Sequence, residues 1–146
     1  MKFIPLFLVL FISTSLFAQS PYILTGIKAF YPVVEINSAK IDKKYKQEIL
    51  DLIKEQAKIH DINTKNYSTT SLAVLINYVS VGDTIALKVV LVVGEEVMRK
   101  ETKEDVFALT YNASKLFVVE NIDEDLMDNV EDLLDAFFEQ YKEDNE

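Results

Sequence analysis

Residues 71–93 read SLAVLINYVSVGDTIALKVVLVV, two apolar runs on either side of Gly82-Asp83. A two-residue connection of this kind closes a β-hairpin. Pairing outward from the turn places Asn77 directly opposite Lys88, so that both polar side chains lie on the same face. A slip of one residue would move them to different faces, which favours this register. The stretch therefore predicts an antiparallel hairpin with a defined register.

The two faces of the predicted hairpin differ in what they can contact. One is almost wholly apolar and is expected to meet helices; it carries Leu72, Val74, Ile76, Tyr78, Leu87, Val89, Leu91 and Val93. The opposite face, here called the open face, carries Leu75, Asn77, Val79, Lys88 and Val90, and it is also too apolar to be left in water. Exposed apolar patches usually mark contact surfaces. These five residues are the candidate contact surface, unless loops, the flanks of the first strand or the N-terminus of the chain cover them.

The segment before the hairpin changes from a strand pattern to a helix pattern. Residues 27–36 are strand-like, although Pro32 lacks an amide hydrogen and is expected at an edge or a bulge. Within residues 41–60, apolar side chains recur at steps of three and four, as in an amphipathic helix. Asp42 is the expected N-cap of this helix.

The segment after the hairpin predicts a further strand and a long helix. Residues 105–119 form the strand pattern, with a break or bulge expected near Asn112. Asn121 and Glu124 form a capping pair at the start of the helix. The apolar stripe of this helix consists of Ile122, Leu126, Val130, Leu133, Leu134, Phe137 and Tyr141. The element order predicts an α+β fold: a two-layer sandwich in which two helices cover one face of a four-stranded antiparallel or mixed sheet.

The N-terminus predicts export. Residues 1–18 combine Lys2, an apolar run and a small-residue site ending at Ala18, as in a secretory signal peptide cleaved after that residue. An uncleaved N-terminal anchor is the alternative. Residues 19–146 are expected to form a single α+β domain without a membrane span. The absence of Cys fits a bacterial periplasm, and full secretion is left open.

The charge of the chain argues against two classes of partner. The sequence has 24 acidic and 15 basic residues, a net charge of −9, and loss of Lys2 would make it −10. Such a chain repels nucleic acid and anionic membrane surfaces. We therefore expect an unknown protein partner or a homodimer.

The residue types present also argue against several kinds of site. One His and no Cys exclude the usual zinc sites, and no Gly-rich phosphate loop is present. His60 is expected near the end of the first helix, where the helix dipole favours a cation. The carboxylates after Asn121 follow one side of a helix, where they diverge rather than converge on an ion. We expect a solvated face there, with weak and unspecific divalent binding as the alternative.

Two stretches resemble a group of uncharacterised exported bacterial domains: LTGIKAFYPVVEI, residues 24–36, and VEDLLDAFFEQY, residues 130–141. In that group a Leu-x-Gly-Ile segment leads into the first strand, and the last helix reads roughly Asp-Leu-apolar-Asp-x-Phe-apolar-x-x-Tyr. The last strand of the group often carries Thr-Trp-Ser, where this chain has Thr110-Tyr111-Asn112. The group is similar in topology to the periplasmic domains of the curli secretion protein CsgG, the penicillin-binding protein activator LpoB and the N-terminal domain of TolB. The resemblance implies the fold and export, and it implies no reaction, cofactor or catalytic residue.

These observations leave three functional hypotheses. The first is a non-catalytic exported module that contacts a protein partner, or a second copy of itself, through the open face or the acidic helix. The second is a carrier or sensor of a small apolar ligand between sheet and helices, although aromatic residues expected in the core (Phe107, Phe117 and Phe137) favour a filled interior. The third is a hydrolase with paired carboxylates, although nothing singles out such a pair. We expect the first, with no catalytic residue, metal or cofactor.

Overall fold

The computed structural model describes residues 22–146, so the predicted signal peptide and its cleavage site lie outside the described part. The elements in chain order are β1 (Tyr31–Ile36), α1 (Lys44–Ile59), β2 (Ser71–Val81), β3 (Thr84–Met98), β4 (Asp105–Val118) and α2 (Ile122–Asn145). The strands form one sheet in the order β1-β2-β3-β4; β1 is parallel to β2, and the other pairs are antiparallel. The predicted α+β fold is confirmed, and its sheet is mixed.

The hairpin of β2 and β3 has the predicted register. Asn77 lies opposite Lys88, and Leu75 lies opposite Val90. Gly82 occupies the first central position of the turn with a φ of +59°, a conformation that glycine adopts without steric cost. Because the turn sets the register, it also sets which side chains of both strands point towards the helices.

β1 is an edge strand, as its proline suggested. It begins at Tyr31, four residues later than the strand pattern began, and Pro32 is its second residue. A missing amide hydrogen is tolerated at an edge because no further strand needs it. Before the strand, the Phe30 amide donates to the Asn63 carbonyl oxygen at 3.1 Å. The residues that precede β1 therefore pair with the loop after α1, outside the sheet.

β4 contains the predicted bulge, but at a different residue. The pairing with β3 shifts between Val93, which faces Tyr111, and Gly94, which faces Leu109. Thr110 is therefore the extra residue, two positions before Asn112, where the break was expected. Its hydroxyl donates to a Glu95 carboxylate oxygen at 2.5 Å. The extra residue reverses the alternation of side chains, so that Tyr111 is buried and Leu109 is exposed.

Both helices pack on the same face of the sheet and fill the space beneath it. α1 buries Tyr45, Ile49, Ile53 and Ala57, and α2 buries Leu126, Val130, Leu133, Leu134, Phe137 and Phe138. The ring of Phe137 stands edge-on to Tyr111 and to Phe138, with centroids 5.1 and 5.0 Å apart. Phe138 was not part of the predicted apolar stripe. It lies beside that stripe, on the side of α2 that faces α1. The core is therefore a packed layer of aliphatic and aromatic side chains.

The start of α1 differs in detail from the predicted cap. Lys43 stands at the N-cap position and makes no side-chain capping bond. Asp42, the predicted cap, nevertheless accepts a hydrogen bond from the Lys44 amide at 2.8 Å. The prediction identified the capping carboxylate and misplaced the boundary by one residue.

The start of α2 confirms one half of the predicted capping pair and corrects the other. Asn121 is the N-cap, and its side-chain oxygen accepts from the Asp123 amide at 3.2 Å. The side chain that reaches back belongs to Asp125 rather than Glu124, and it accepts from the Asn121 amide at 2.9 Å.

The segment before β1 is held by the last turn of α2. The Leu24 amide donates to Asp144 Oδ2 at 2.7 Å, and the Leu24 carbonyl accepts from the Asn145 side-chain amide at 3.1 Å. The Gly26 amide donates to Asn145 Oδ1 at 2.9 Å. These bonds anchor the extended chain while the Leu24 side chain enters the core.

The segment before β1 also meets the preceding turn of α2. In addition to the bonds of Leu24 and Gly26, the Tyr141 hydroxyl donates to the Ile27 carbonyl oxygen at 2.9 Å. Residues 24–27 and the last turns of α2 are thus held together by hydrogen bonds.

Candidate functional site

The open face is the side of the sheet that points away from α1 and α2. Along β2 and β3, outward side chains alternate with buried ones. The five predicted contact residues, Leu75, Asn77, Val79, Lys88 and Val90, all lie on the outward positions of these strands. Within residues 22–146, neither helix packs on this side. The structure brings the predicted residues together on one surface, and the binding of a partner to it stays a prediction.

The centre of the open face combines apolar side chains with one polar pair. Leu75 and Val90 are half-buried by their neighbours, and Val79 is exposed. Asn77 Oδ1 accepts a hydrogen bond at 3.0 Å from the side-chain amide of Asn37, which follows β1. Lys88 is exposed and forms no ion pair within the described residues. A surface that fits this centre would offer apolar side chains and an oxygen acceptor for the Lys88 ammonium group.

On β4 the open face continues through four large apolar side chains that the sequence analysis did not assign to it. Phe107, Leu109, Leu116 and Val118 are 67%, 61%, 69% and 61% exposed. The prediction that Phe107 lies in the core is wrong, because the bulge at Thr110 turns the residues before it outward.

One sequence signal could have located this reversal. Gly94 interrupts a run of branched residues on β3, and glycine inside a strand often marks a close approach. A Cβ atom at Gly94 would lie 2.3 Å from the Phe107 ring. The ring therefore covers the glycine on the open face, and only a bulge in β4 brings it there.

A groove of about 470 Å³ lies at one end of the open face. Its walls include the rings of Tyr31, Tyr67 and Phe107, with the carboxylates of Glu96 and Asp105 among its lining. The groove lies outside the space between the sheet and the helices, where the carrier hypothesis needs a cavity. It extends the apolar surface of the open face towards the edge strand β1.

The acidic side chains of α2 lie on the solvent side of the helix. Lys115 of β4 forms an ion pair with Asp132 of α2. In the part of the chain that the structure describes, no group of three or more His, Cys, Asp or Glu side chains is placed to hold a metal ion. The exposed row consists of Asp128, Asp132, Asp135, Glu139 and Glu143.

One cluster of two exposed charged residues and the buried Tyr45 joins the first turns of the two helices. Lys44 Nζ lies 2.8 Å from Asp123 Oδ1, and the Tyr45 hydroxyl donates to the same oxygen. The hydrogen bond from Lys44, followed by that from Tyr45, lowers the pKa of the Asp123 carboxyl group. The hydrogen bond to Asp123 raises the pKa of the Lys44 amine. A lowered pKa keeps the carboxyl group ionised at neutral pH, so the cluster ties the helices together and is unsuited to general acid catalysis.

His60 has a packing role that the sequence did not reveal. It is the C-cap residue of α1, near the helix end as predicted. Its ring stacks on Phe138 with centroids 4.9 Å apart and planes inclined by 9°. The imidazole therefore joins the end of α1 to α2 through ring contacts.

The comparisons with known proteins add a structural likeness. No protein-family model and no curated protein matches this chain. Among solved structures it is similar to a minor lipoprotein from Acinetobacter baumannii, with 8% identity and a TM-score of 0.37. That likeness covers 78% of this chain and 91% of the lipoprotein chain. Neither α1 nor α2, the helices of the described residues, has the length and apolar character to cross a membrane.

Proposed function

We propose that this protein is an exported, non-catalytic module that acts by protein–protein contact through the open face. One observation carries the proposal: a sheet whose inner face is filled by two helices presents a second apolar face that no helix covers within residues 22–146. Sheets with one solvated face normally alternate apolar inward and polar outward residues. Apolar side chains on both faces favour a partner on the second one.

The composition of the open face favours a protein over other partners. Leu75, Val79 and Val90 offer apolar area, and Lys88 offers one uncompensated positive charge in a chain of net charge −9. Protein interfaces combine an apolar centre with a few directed polar contacts. The Lys88 ammonium group would then select a partner that places a carboxylate or carbonyl oxygen opposite it.

The interior favours the contact module over a ligand carrier. A carrier needs a cavity between sheet and helices, and that space contains the contacting rings of Tyr111, Phe137 and Phe138. Within residues 22–146 no carboxylate or other charged side chain is buried. A hydrolase based on two carboxylates needs one of them in a desolvated setting that raises its pKa, so this finding favours the contact module over the hydrolase as well.

Site-specific photocross-linking in cells that produce the protein at its natural level tests the proposal. A photoreactive residue would replace Val79, which is exposed on the open face, and in a control would replace Lys46, which is exposed on α1. We expect discrete protein adducts from position 79 and none from position 46. No adduct from position 79, or the same adducts from both positions, would overturn the proposal.

A further inference from the structure

β4 is a long edge strand whose outer side has no strand partner in the described part of the chain. It spans 14 residues and pairs only with β3 there. Half of its backbone amides and carbonyls therefore point away from the sheet and can serve as a template for another strand. The opposite edge, β1, has six residues and contains Pro32, which discourages further pairing. The sheet is thus protected at one edge and open at the other.

The outward side chains of β4 form a pattern that is the same in both directions along the strand. Two large apolar residues are followed by two small polar residues and then by two large apolar residues. In chain order the six are Phe107, Leu109, Asn112, Ser114, Leu116 and Val118. The bulge at Thr110 creates this symmetry, because a regular strand would turn Phe107 and Leu109 towards the helices.

We propose that β4 pairs antiparallel with β4 of a second copy of this chain, around a twofold axis beside Ala113. The contact-module proposal leaves the partner open, whereas this inference specifies a second copy of the chain as the partner and the β4 edge as the surface. Leu109 then lies opposite Leu116 of the second copy, and Phe107 lies opposite Val118 of the second copy. The polar pair in the middle is Asn112 with Ser114. A twofold contact requires such a self-complementary surface.

The bulge fixes the register of this pairing. In the proposed arrangement each large apolar residue meets another one, and the small polar residues meet each other. A shift of two residues would place apolar side chains against polar ones and leave an apolar residue without a partner at each end. The two open faces then form one continuous surface across both copies, apolar except for the polar pairs at its centre.

The charge distribution favours self-association at this edge. Between Val106 and Val119 the only charged residue is Lys115, which bonds Asp132 on the helix side. Two copies of an acidic chain approach most easily along a strip without like charges. Like charges meet directly only at the two ends of the ladder, where Asp105 faces Glu120 of the second copy. The acidic α2 helices also come side by side, so added salt should strengthen the dimer.

Molar mass by size-exclusion chromatography with light scattering, over a range of concentrations, tests the partner and the edge. The chain from Gln19 to Glu146 retains every described residue, and we expect a dimer. Leu109→Asp places a carboxylate opposite an apolar side chain and should raise the dissociation constant by roughly 100-fold. Val81→Asp is the matched control, since Val81 is exposed on the same face at the hairpin tip; it should leave the dimer unchanged.

A charge-reversal cycle tests the register. Glu120→Lys, or Asp105→Lys, would convert both like-charge contacts of the dimer into opposite-charge contacts and should tighten it by roughly three- to tenfold. The double variant restores like charges at both contacts and should dimerise less tightly than either single variant. Glu55→Lys on α1 makes the same change of net charge away from β4 and should tighten the dimer least. Circular dichroism verifies that each variant is folded.

The outcomes separate this inference from the contact-module proposal. A chain that stays monomeric at all concentrations, or a dimer that Val81→Asp dissociates as strongly as Leu109→Asp, overturns pairing through β4. So does a charge cycle in which the single variants match the Glu55→Lys control. Each of these results is compatible with adducts from position 79, which would still support contact through the open face.

Discussion

At the residue scale, the first turn of α2 depends on Asp125. Its carboxylate accepts from the backbone amides of Glu120 and Asn121 at 2.8 and 2.9 Å. Asp125→Ala would leave both amides without this acceptor, and we expect the free energy of unfolding to fall by about 1–2 kcal/mol. Urea denaturation followed by circular dichroism measures this loss.

Glu124→Ala is the matched control for that measurement. It also removes a carboxylate from the first turn, but Glu124 makes no capping bond within the described residues. Only its interaction with the helix dipole is lost, about 0.5 kcal/mol or less. Equal losses for the two variants would show that charge rather than the hydrogen bonds of Asp125 stabilises this turn.

Two residues show where sequence reasoning about the surface failed. Thr110 has no feature that marks it as the extra residue of a bulge, because its hydroxyl finds Glu95 only after the strands have paired. If the bulge at Thr110 is not known, regular alternation counted back from Phe117 assigns Phe107 to the core. The candidate residues on β2 and β3 were predictable because a turn sets their register; those on β4 depend on a long-range contact.

At the scale of elements, local patterns predicted most of the fold. Gly82-Asp83 set the hairpin, and the helical stripes of α1 and α2 selected their buried faces. The sequence left open the parallel pairing of β1 with β2, because a strand before a helix can reach either edge of the hairpin.

The cluster of Lys44, Tyr45 and Asp123 makes the contact between α1 and α2 depend on pH. The pKa of Asp123 is lowered from 3.8 by the bonds from Lys44 and Tyr45, so its stabilisation is present above that value and is lost as the pH falls through the lowered pKa. The pKa of Lys44 is raised from 10.5, so its part is present below 10.5 and is lost as the pH rises through the raised pKa. The contact is therefore complete between about pH 4 and pH 10.

Asp123→Asn tests this pH dependence. Between pH 7 and pH 3, the free energy of unfolding of the variant should decrease less than that of the parent protein. Urea denaturation at each pH measures this difference. Asp128→Asn is the control, because Asp128 is exposed and its side chain makes no hydrogen bond or ion pair within residues 22–146. If both variants follow the same curve, the cluster does not contribute to acid sensitivity.

At the scale of the whole molecule, one layer of helices leaves the sheet with two different surfaces. The inner surface is covered by α1 and α2, whereas the open face exposes apolar side chains and the β4 edge exposes backbone hydrogen-bonding groups. The hydrophobic pattern predicts the second apolar face, since residues on both faces of the hairpin are apolar. It does not predict the partner, because shape and charge across an interface depend on the other molecule.

The contact between the two described ends of the chain leads to a last prediction. Residues 22–27 lie outside the sheet, and the Leu24 and Gly26 amides donate to the side chains of Asp144 and Asn145 at the end of α2. Replacing both polar residues with Ala should cost about 1–3 kcal/mol of unfolding free energy and speed hydrogen exchange at the Leu24 and Gly26 amides. Glu143→Ala, on the same turn and exposed, should change neither. Unaltered exchange at both amides in the double variant would mean that burial of the Leu24 side chain and the bond from Tyr141 to Ile27 hold the segment without Asp144 and Asn145.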